Sequence, residues 1–424
     1  MFHKCINLYV FIKIDNRPDD SYKRSPGKAP GMRTERATVV LRHRGRVLLR
    51  RWAGTPGWEL PWSAVGDDPA AAASRAVEST GVEGPVTIRE GAPVEIDDRT
   101  VYPFLVACES PETDDGEWVH ATEIRRRETP AGSWRAYSAV APTVESVRGD
   151  RTQGSAAVSV RALEVLRDRA GEGADWPALV EQANALLEAR PSMAAVMNRI
   201  NRAMAEAAGT ADAVALERAT RAGIDRALAA DGRAAENATK RVEGTVLTLS
   251  RSGTVRGAFS AGDPDRVIVL ESRPDREGID VAEDLAEDAD VTVTLDAAIA
   301  HVMADVDAVL VGADTVLADG SVVNKVGTRT AAVVAAREGV PVYAVAAVDK
   351  ISPATEPVLE SIDSEAITDR EAVAVECPLF DRTPPDLITG LITEEGLLNA
   401  TAIGERAADH ERRARWKEPN PSEG

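Results

Sequence analysis

The chain has 424 residues, too many for one ordinary domain and enough for two or three, each with its own core. Its formal charge of −19 argues against bulk nucleic-acid binding and against an acidic membrane surface, so neither DNA nor a membrane is an expected partner. Of its 50 basic residues only eight are lysine, and an acid-rich, arginine-over-lysine surface suits the salt-rich cytosol of a halophile.

Residues 1–32 hold half of the lysines and end in a Pro/Gly/Ser-rich stretch. Their apolar run is too short and broken for a secretory signal, so a disordered extension is expected, with either Met1 or Met32 as the true start. No stretch is apolar for the 18 or so residues a membrane span needs. The cysteines (Cys5, Cys108, Cys377) stand far apart without metal spacing and point to a reducing, cytoplasmic compartment.

Residues 33–145 are β-rich. "ATVVLRHRGRVLLRR" reads as two alternating runs around an Arg-Gly turn, and five of the seven tryptophans fall in this block. A strand "WELP" then leads through an acidic-Pro turn into a helix ending Thr-Gly-Val. This order resembles the Nudix hydrolase fold, an α+β domain whose members hold magnesium with several carboxylates on one helix face. Here Trp62-Ser63 replace a double glycine, Ala76 follows Arg75, and Ser79 and Thr80 stand at acidic positions, with only Glu78 in register. The expectation is a degenerate Nudix-like domain kept for binding or structure, with no cofactor. Magnesium enters only if this half is active as a Nudix-type hydrolase.

From 150 to 242, apolar residues recur at three- and four-residue spacing through "GSAAVSVRALEVLRDRA" and three further segments, which predicts a helical subdomain. From 243 to 415, short β-branched runs ("TVLTLS", "RVIVLES", "VTVTL", "AVLVGA", "PVYAVAAV") alternate with helical segments. That alternation predicts a parallel, doubly wound α/β domain. A tail occupies 416–424.

In such a sheet ligands sit at the carboxyl ends of the strands. Asp314 directly follows "AVLVGA". Asn324 and Lys325 precede a Gly-Thr that opens a helix over 329–337, where an anion is favoured. "LTLSRSGTV" places Ser250, Arg251, Ser252 and Gly253 at another strand end. Singly, a strand-end Asp is usually a cap and a Ser/Gly turn just a turn. Together they suit a phosphorylated small molecule. The histidines are scattered, and only His301 lies near these positions.

The segment "LVGADTVLADGSVVNKVGT" resembles the signature of the initiation factor 2B alpha/beta/delta subunit family, which also contains methylthioribose-1-phosphate and ribose-1,5-bisphosphate isomerases. "RPSMAAVMNRI", "VIVLESRPDREGIDVAEDL" and "FDRTPPDLITGLITEEGLL" resemble further family elements in the same order, across about 150–415. The resemblance implies a helical subdomain before a Rossmann-like domain, and a homo-oligomer, at least a dimer. It gives Asp314 the acid/base role of the isomerases and assigns Arg190, Asn324 and Lys325 to the sugar phosphate. Ser250 stands where the isomerases carry a cysteine. A hydroxyl is a far weaker acid than a thiol, whose ordinary pKa is about 8.5. The expected function is therefore a regulatory, non-catalytic relative with a sugar-phosphate or nucleotide pocket, partnered by translation initiation factor proteins. The alternative is an aldose–ketose isomerase with a replacement acid.

Overall fold

The computed structural model describes residues 34–51, 57–82, 86–108, 111–150, 153–362, 364–368, 370 and 372–417. The extension at 1–32, with Cys5, and residues 418–424 of the tail lie outside them. The chain divides into two compact units, 1–142 and 143–424.

The first unit is built on an eight-stranded sheet. Its strand Thr34–His43 pairs antiparallel with Arg46–Arg51 and parallel with Arg99–Cys108. The hairpin turns at Arg44 and Gly45, whose φ angles of 44° and 77° are the paired left-handed values that match strand twist. The helix Pro69–Glu78 starts on Asp68, whose carboxylate accepts from the Ala70 and Ala71 amides, with proline in the first turn. It lays Ala72, Ala73, Ala76 and Val77 against Val39, Leu41 and Phe104 of the sheet. Alanine is small enough to seat the helix close to the sheet, whose own Leu41, Leu48 and Phe104 fill the α+β core.

After a short helix, Val144–Gly149, the second unit carries four longer ones: α1 (Ser155–Gly171), α2 (Trp176–Ala189), α3 (Ala194–Ala207) and α4 (Ala213–Ala238). Asp175 and Asp212 cap α2 and α4 by accepting from the Ala178 and Ala215 amides. The layer packs on Leu163, Leu166, Leu179, Leu186, Ile200 and Met204. The far end of α4 belongs to a different core, where Ala234, Ala235 and Ala238 meet Val246 and Val255. One helix thereby ties the helical layer to the sheet that follows.

That sheet has seven strands: β1 (Thr245–Thr248), β2 (Arg266–Leu270), β3 (Val291–Thr294), β4 (Ala308–Val311), β5 (Val342–Val345), β6 (Gly390–Thr393) and β7 (Gly396–Leu398). Their order is β3-β2-β1-β4-β5-β6-β7. Every neighbouring pair is parallel except the last, an antiparallel hairpin. The central strands are buried, which is why they read as unbroken Val/Leu/Ile runs. Helices α5 (Gly253–Ala261), α6 (Glu277–Leu285), α7 (Thr328–Glu338) and α8 (Ala400–Ala414) connect or flank them. A small antiparallel sheet of Thr315–Val316, Val322–Lys325 and Phe380–Thr383 follows the end of β4. The chain reverses direction across the sheet between β1 and β4, so their carboxyl ends open the crevice where such folds bind ligands. Among the described residues no helix is long and apolar enough to cross a membrane.

Candidate functional site

Ser250 lies two residues past β1 with φ 61°, and its amide donates to Ser272 Oγ at 2.7 Å. Ser272, past β2, is left-handed too (φ 62°), and its hydroxyl donates to the Leu270 carbonyl. The Asp296 carboxylate holds this turn by accepting from the amides of Ser272 and Arg273. Ser250 Oγ donates to Glu277 Oε1 at 2.9 Å, and the same oxygen lies 3.0 Å from Lys325 Nζ. Lys325 Nζ also contacts Asp275 Oδ2 at 2.8 Å. Burial works against the Lys325 charge, but the hydrogen bonds and negative charge of Asp275 and Glu277 outweigh it and hold the ammonium above the usual lysine range.

At the end of β4, Gly312 admits the neighbouring loop. A Cβ there would stand 2.7 Å from Ser252 Oγ, so the two strand ends touch through this glycine. Asp314 follows, half-buried, its amide donating to Val323 O at 2.9 Å. Beside it lies a lysine from beyond β5: Lys350 is buried and donates Nζ to the Ala313 carbonyl at 2.6 Å. Burial pushes its ammonium below the usual range, and the Asp314 charge only partly restores it. Asn324 is buried and donates Nδ2 to Thr328 Oγ1 at 3.0 Å.

The remaining sequence candidates have other partners. Ser252 caps α5 by accepting from the Val255 amide, and Arg251 reaches Asp280 Oδ2 at 2.5 Å on the surface. Arg190 is buried at the end of α2, donating to the Asp150 carbonyl at 2.5 Å and lying 3.5 Å from Glu360 Oε1. The amino-terminus of α7, expected to face an anion, carries one from within the chain: Asp381 accepts from the Gly327 and Arg329 amides. His301 is exposed. In the first unit Ala76 and Thr80 are fully buried, Thr80 Oγ1 donating to the Val77 carbonyl, while Glu78 faces solvent. Among the described residues no group of three or more His, Cys, Asp or Glu is arranged to hold a metal ion.

Sequence reasoning missed Glu277, Lys350 and Asp381. Glu277 had one signal, the glycine after it. A Cβ on Gly278 would lie 1.9 Å from the Leu270 carbonyl oxygen, so only glycine lets α6 begin against the end of β2.

The sequence profile of the Initiation factor 2 subunit family matches residues 147–400. A ribose 1,5-bisphosphate isomerase of Haloterrigena turkmenica is 31% identical over 292 residues, 61% of this chain and 89% of the relative. A methylthioribose-1-phosphate isomerase of Pseudomonas savastanoi pv. phaseolicola is 31% identical over 306 residues, 62% of this chain and 86% of its own. The crystal structure of a Pyrococcus horikoshii OT3 translation initiation factor eIF-2B superposes with a TM-score of 0.55 at 26% identity, covering 60% of this chain and 94% of that one.

Proposed function

From the premise that the chain belongs to the Initiation factor 2 subunit family, we propose that its second unit is an aldose–ketose isomerase acting on a pentose 1-phosphate. Relatives named as isomerases of two such sugars, matched over most of their length, support this reading above the regulatory one. The observation that carries it is the pairing across the β1/β4 crevice: Asp314 beside buried Lys350 on one wall, Ser250 with Glu277 and Lys325 on the other. A carboxyl group at a strand end can give a proton to the ring oxygen of a furanose, opening the C1–O bond, and later take the proton from the C2 hydroxyl. Two buried ammoniums supply charge-assisted contacts for phosphate oxygens.

The family resemblance supports a second reading: it implies a thiol at the position of Ser250 in the isomerases, and a serine there suits a regulatory relative that senses a phosphosugar or nucleotide and works with translation initiation factor proteins. Incubation of the purified chain with ribose 1,5-bisphosphate and methylthioribose 1-phosphate at high salt, followed by phosphorus and proton NMR, separates the two. Ketose formation supports the isomerase. Saturable binding with no product over hours supports the sensor, and neither binding nor product sinks both.

A further inference from the structure

Resting on the isomerase reading, we propose that Glu277 is the catalytic base that carries the proton between carbon 2 and carbon 1, the step for which Ser250 is chemically unsuited. Five observations converge on this carboxylate.

Its Oε1 accepts from Ser250 Oγ at 2.9 Å, so the group stands where the side chain of residue 250 ends. Its Oε2 is buried and has no hydrogen-bond partner among the described residues. A carboxylate oxygen desolvated without a donor is costly, and a fold that keeps one leaves it available to a reacting group. Glu277 is the first residue of α6, where the helix dipole favours the anion, and Lys325 lies 3.0 Å from Oε1. The missing side chain of Gly278 is what allows α6 to start this close to the end of β2, bringing the carboxylate into the crevice. Finally, Ser250, Ser272 and Arg276 all adopt left-handed backbone (φ 61°, 62° and 59°) around it, a concentration of strain that folds retain at working sites.

The division of labour follows from the two oxygens. Ser250 and Lys325 fix Oε1, which leaves Oε2 to take the C2 proton. As it does, the C–H electrons form a C1–C2 double bond while the C1–O ring bond breaks onto the proton given by Asp314. The proton on Oε2 then returns to C1 as Asp314 removes the C2 hydroxyl proton. The carbonyl forms at C2 and the phosphate stays on C1. Every proton is returned, and no oxidant or reductant enters.

The test compares wild type, Glu277→Gln and Ser250→Cys/Glu277→Gln with ribose 1,5-bisphosphate, measuring kcat, KM, sugar-phosphate affinity by calorimetry and the pH profile. Glutamine keeps the shape and the hydrogen bond from Ser250 but cannot accept the proton. The expected result is a kcat loss of about 100- to 10,000-fold, the range of general-base catalysis, with affinity changed less than about tenfold. The acid limb of the wild-type pH profile disappears in Glu277→Gln. A thiol at 250 in the double variant recovers at least about tenfold of the lost kcat. If Glu277→Gln does not fold, Glu277→Asp replaces it: a base set back by one methylene predicts a lower kcat with the acid limb retained, and unchanged kcat and KM overturn the proposal. Wild-type kcat with a raised KM in Glu277→Gln means that the carboxylate only anchors Lys325, and overturns the proposal while leaving the isomerase reading intact. A wild type that binds the sugar without converting it overturns both.

Discussion

Lys350 takes its chemistry from its surroundings rather than from its sequence neighbours. The short turn Val348–Lys350 that carries it is held on every side. Asn198 donates to the Asp349 and Ile351 carbonyls at 2.8 Å, and the Val348 amide donates to Glu394 at 2.9 Å. Arg199 and Arg202 pair with the Asp349 carboxylate at 3.1 and 2.5 Å. Beneath the turn, His410 of α8 is buried with Nε2 3.1 Å from the Val348 carbonyl. Burial holds His410 below the ordinary histidine value, and the Asp349 charge does not reverse this. The folded state therefore keeps it neutral where the unfolded chain binds a proton, so stability falls as pH drops through the unfolded value near 6.5, until the lower folded value is passed. The slope from this group is at most about 1.4 kcal/mol per pH unit. Between pH 7.5 and 5.5 the melting midpoint of wild type should fall more than that of His410→Gln, and equal slopes would count against the assignment. Such residues show how far the site was legible. Asp314, Ser250 and Lys325 stand at strand ends, where a polar residue after an apolar run announces itself. Lys350 lies 36 residues past Asp314, and Glu277 sits in the run "ESRPDREG" among other charges, where nothing local says which acid turns inward.

Strands and helices were the easier part to read, because burial on both faces leaves unbroken β-branched runs and alanine-rich helices keep their period. What stayed hidden was the fit between elements, which depends on single missing atoms. Gly278 shows it: a methyl group there meets the Leu270 backbone at 1.9 Å, and backbone cannot swing aside. Gly278→Ala should lower stability by about 1–3 kcal/mol in chemical denaturation and, on the proposed isomerase reading, remove most ketose formation by displacing Glu277. Full activity in that variant would show that the start of α6 has no bearing on the site. The helix Pro69–Glu78 of the first unit makes the converse case. Of its expected metal-facing positions, Ala76 and Thr80 are turned into the core and Ser79 is an exposed hydroxyl, and one exposed glutamate cannot chelate a magnesium pyrophosphate. With magnesium or manganese the chain should release nothing from ADP-ribose or diadenosine polyphosphates. Metal-dependent turnover abolished by Glu78→Gln would contradict this.

At the scale of the molecule, the strand order β3-β2-β1-β4-β5-β6-β7 places the crevice between β1 and β4 and leaves apolar side chains at both edges of the sheet. Val293 and Leu295 are exposed at one edge and Leu397 at the other. Exposed apolar edges are surfaces that chains cover by pairing, and light scattering at high salt should find a dimer or larger assembly. A monomer at tens of micromolar would remove that expectation. The parallel character of the sheet followed from alternation in the sequence, whereas the strand order and its reversal point did not, because pairing between β1 and β4 joins residues some 60 positions apart. The central claim is that the two walls of this crevice act together on one pentose 1-phosphate. It is tested most directly by converting ribose 1,5-bisphosphate in deuterium oxide with wild type and Asp314→Asn. The account predicts a ketose product from wild type, with solvent deuterium at carbon 1 in at least part of it, and at least a hundredfold slower formation by Asp314→Asn. Equal rates from the two proteins, or no product from wild type, would contradict it.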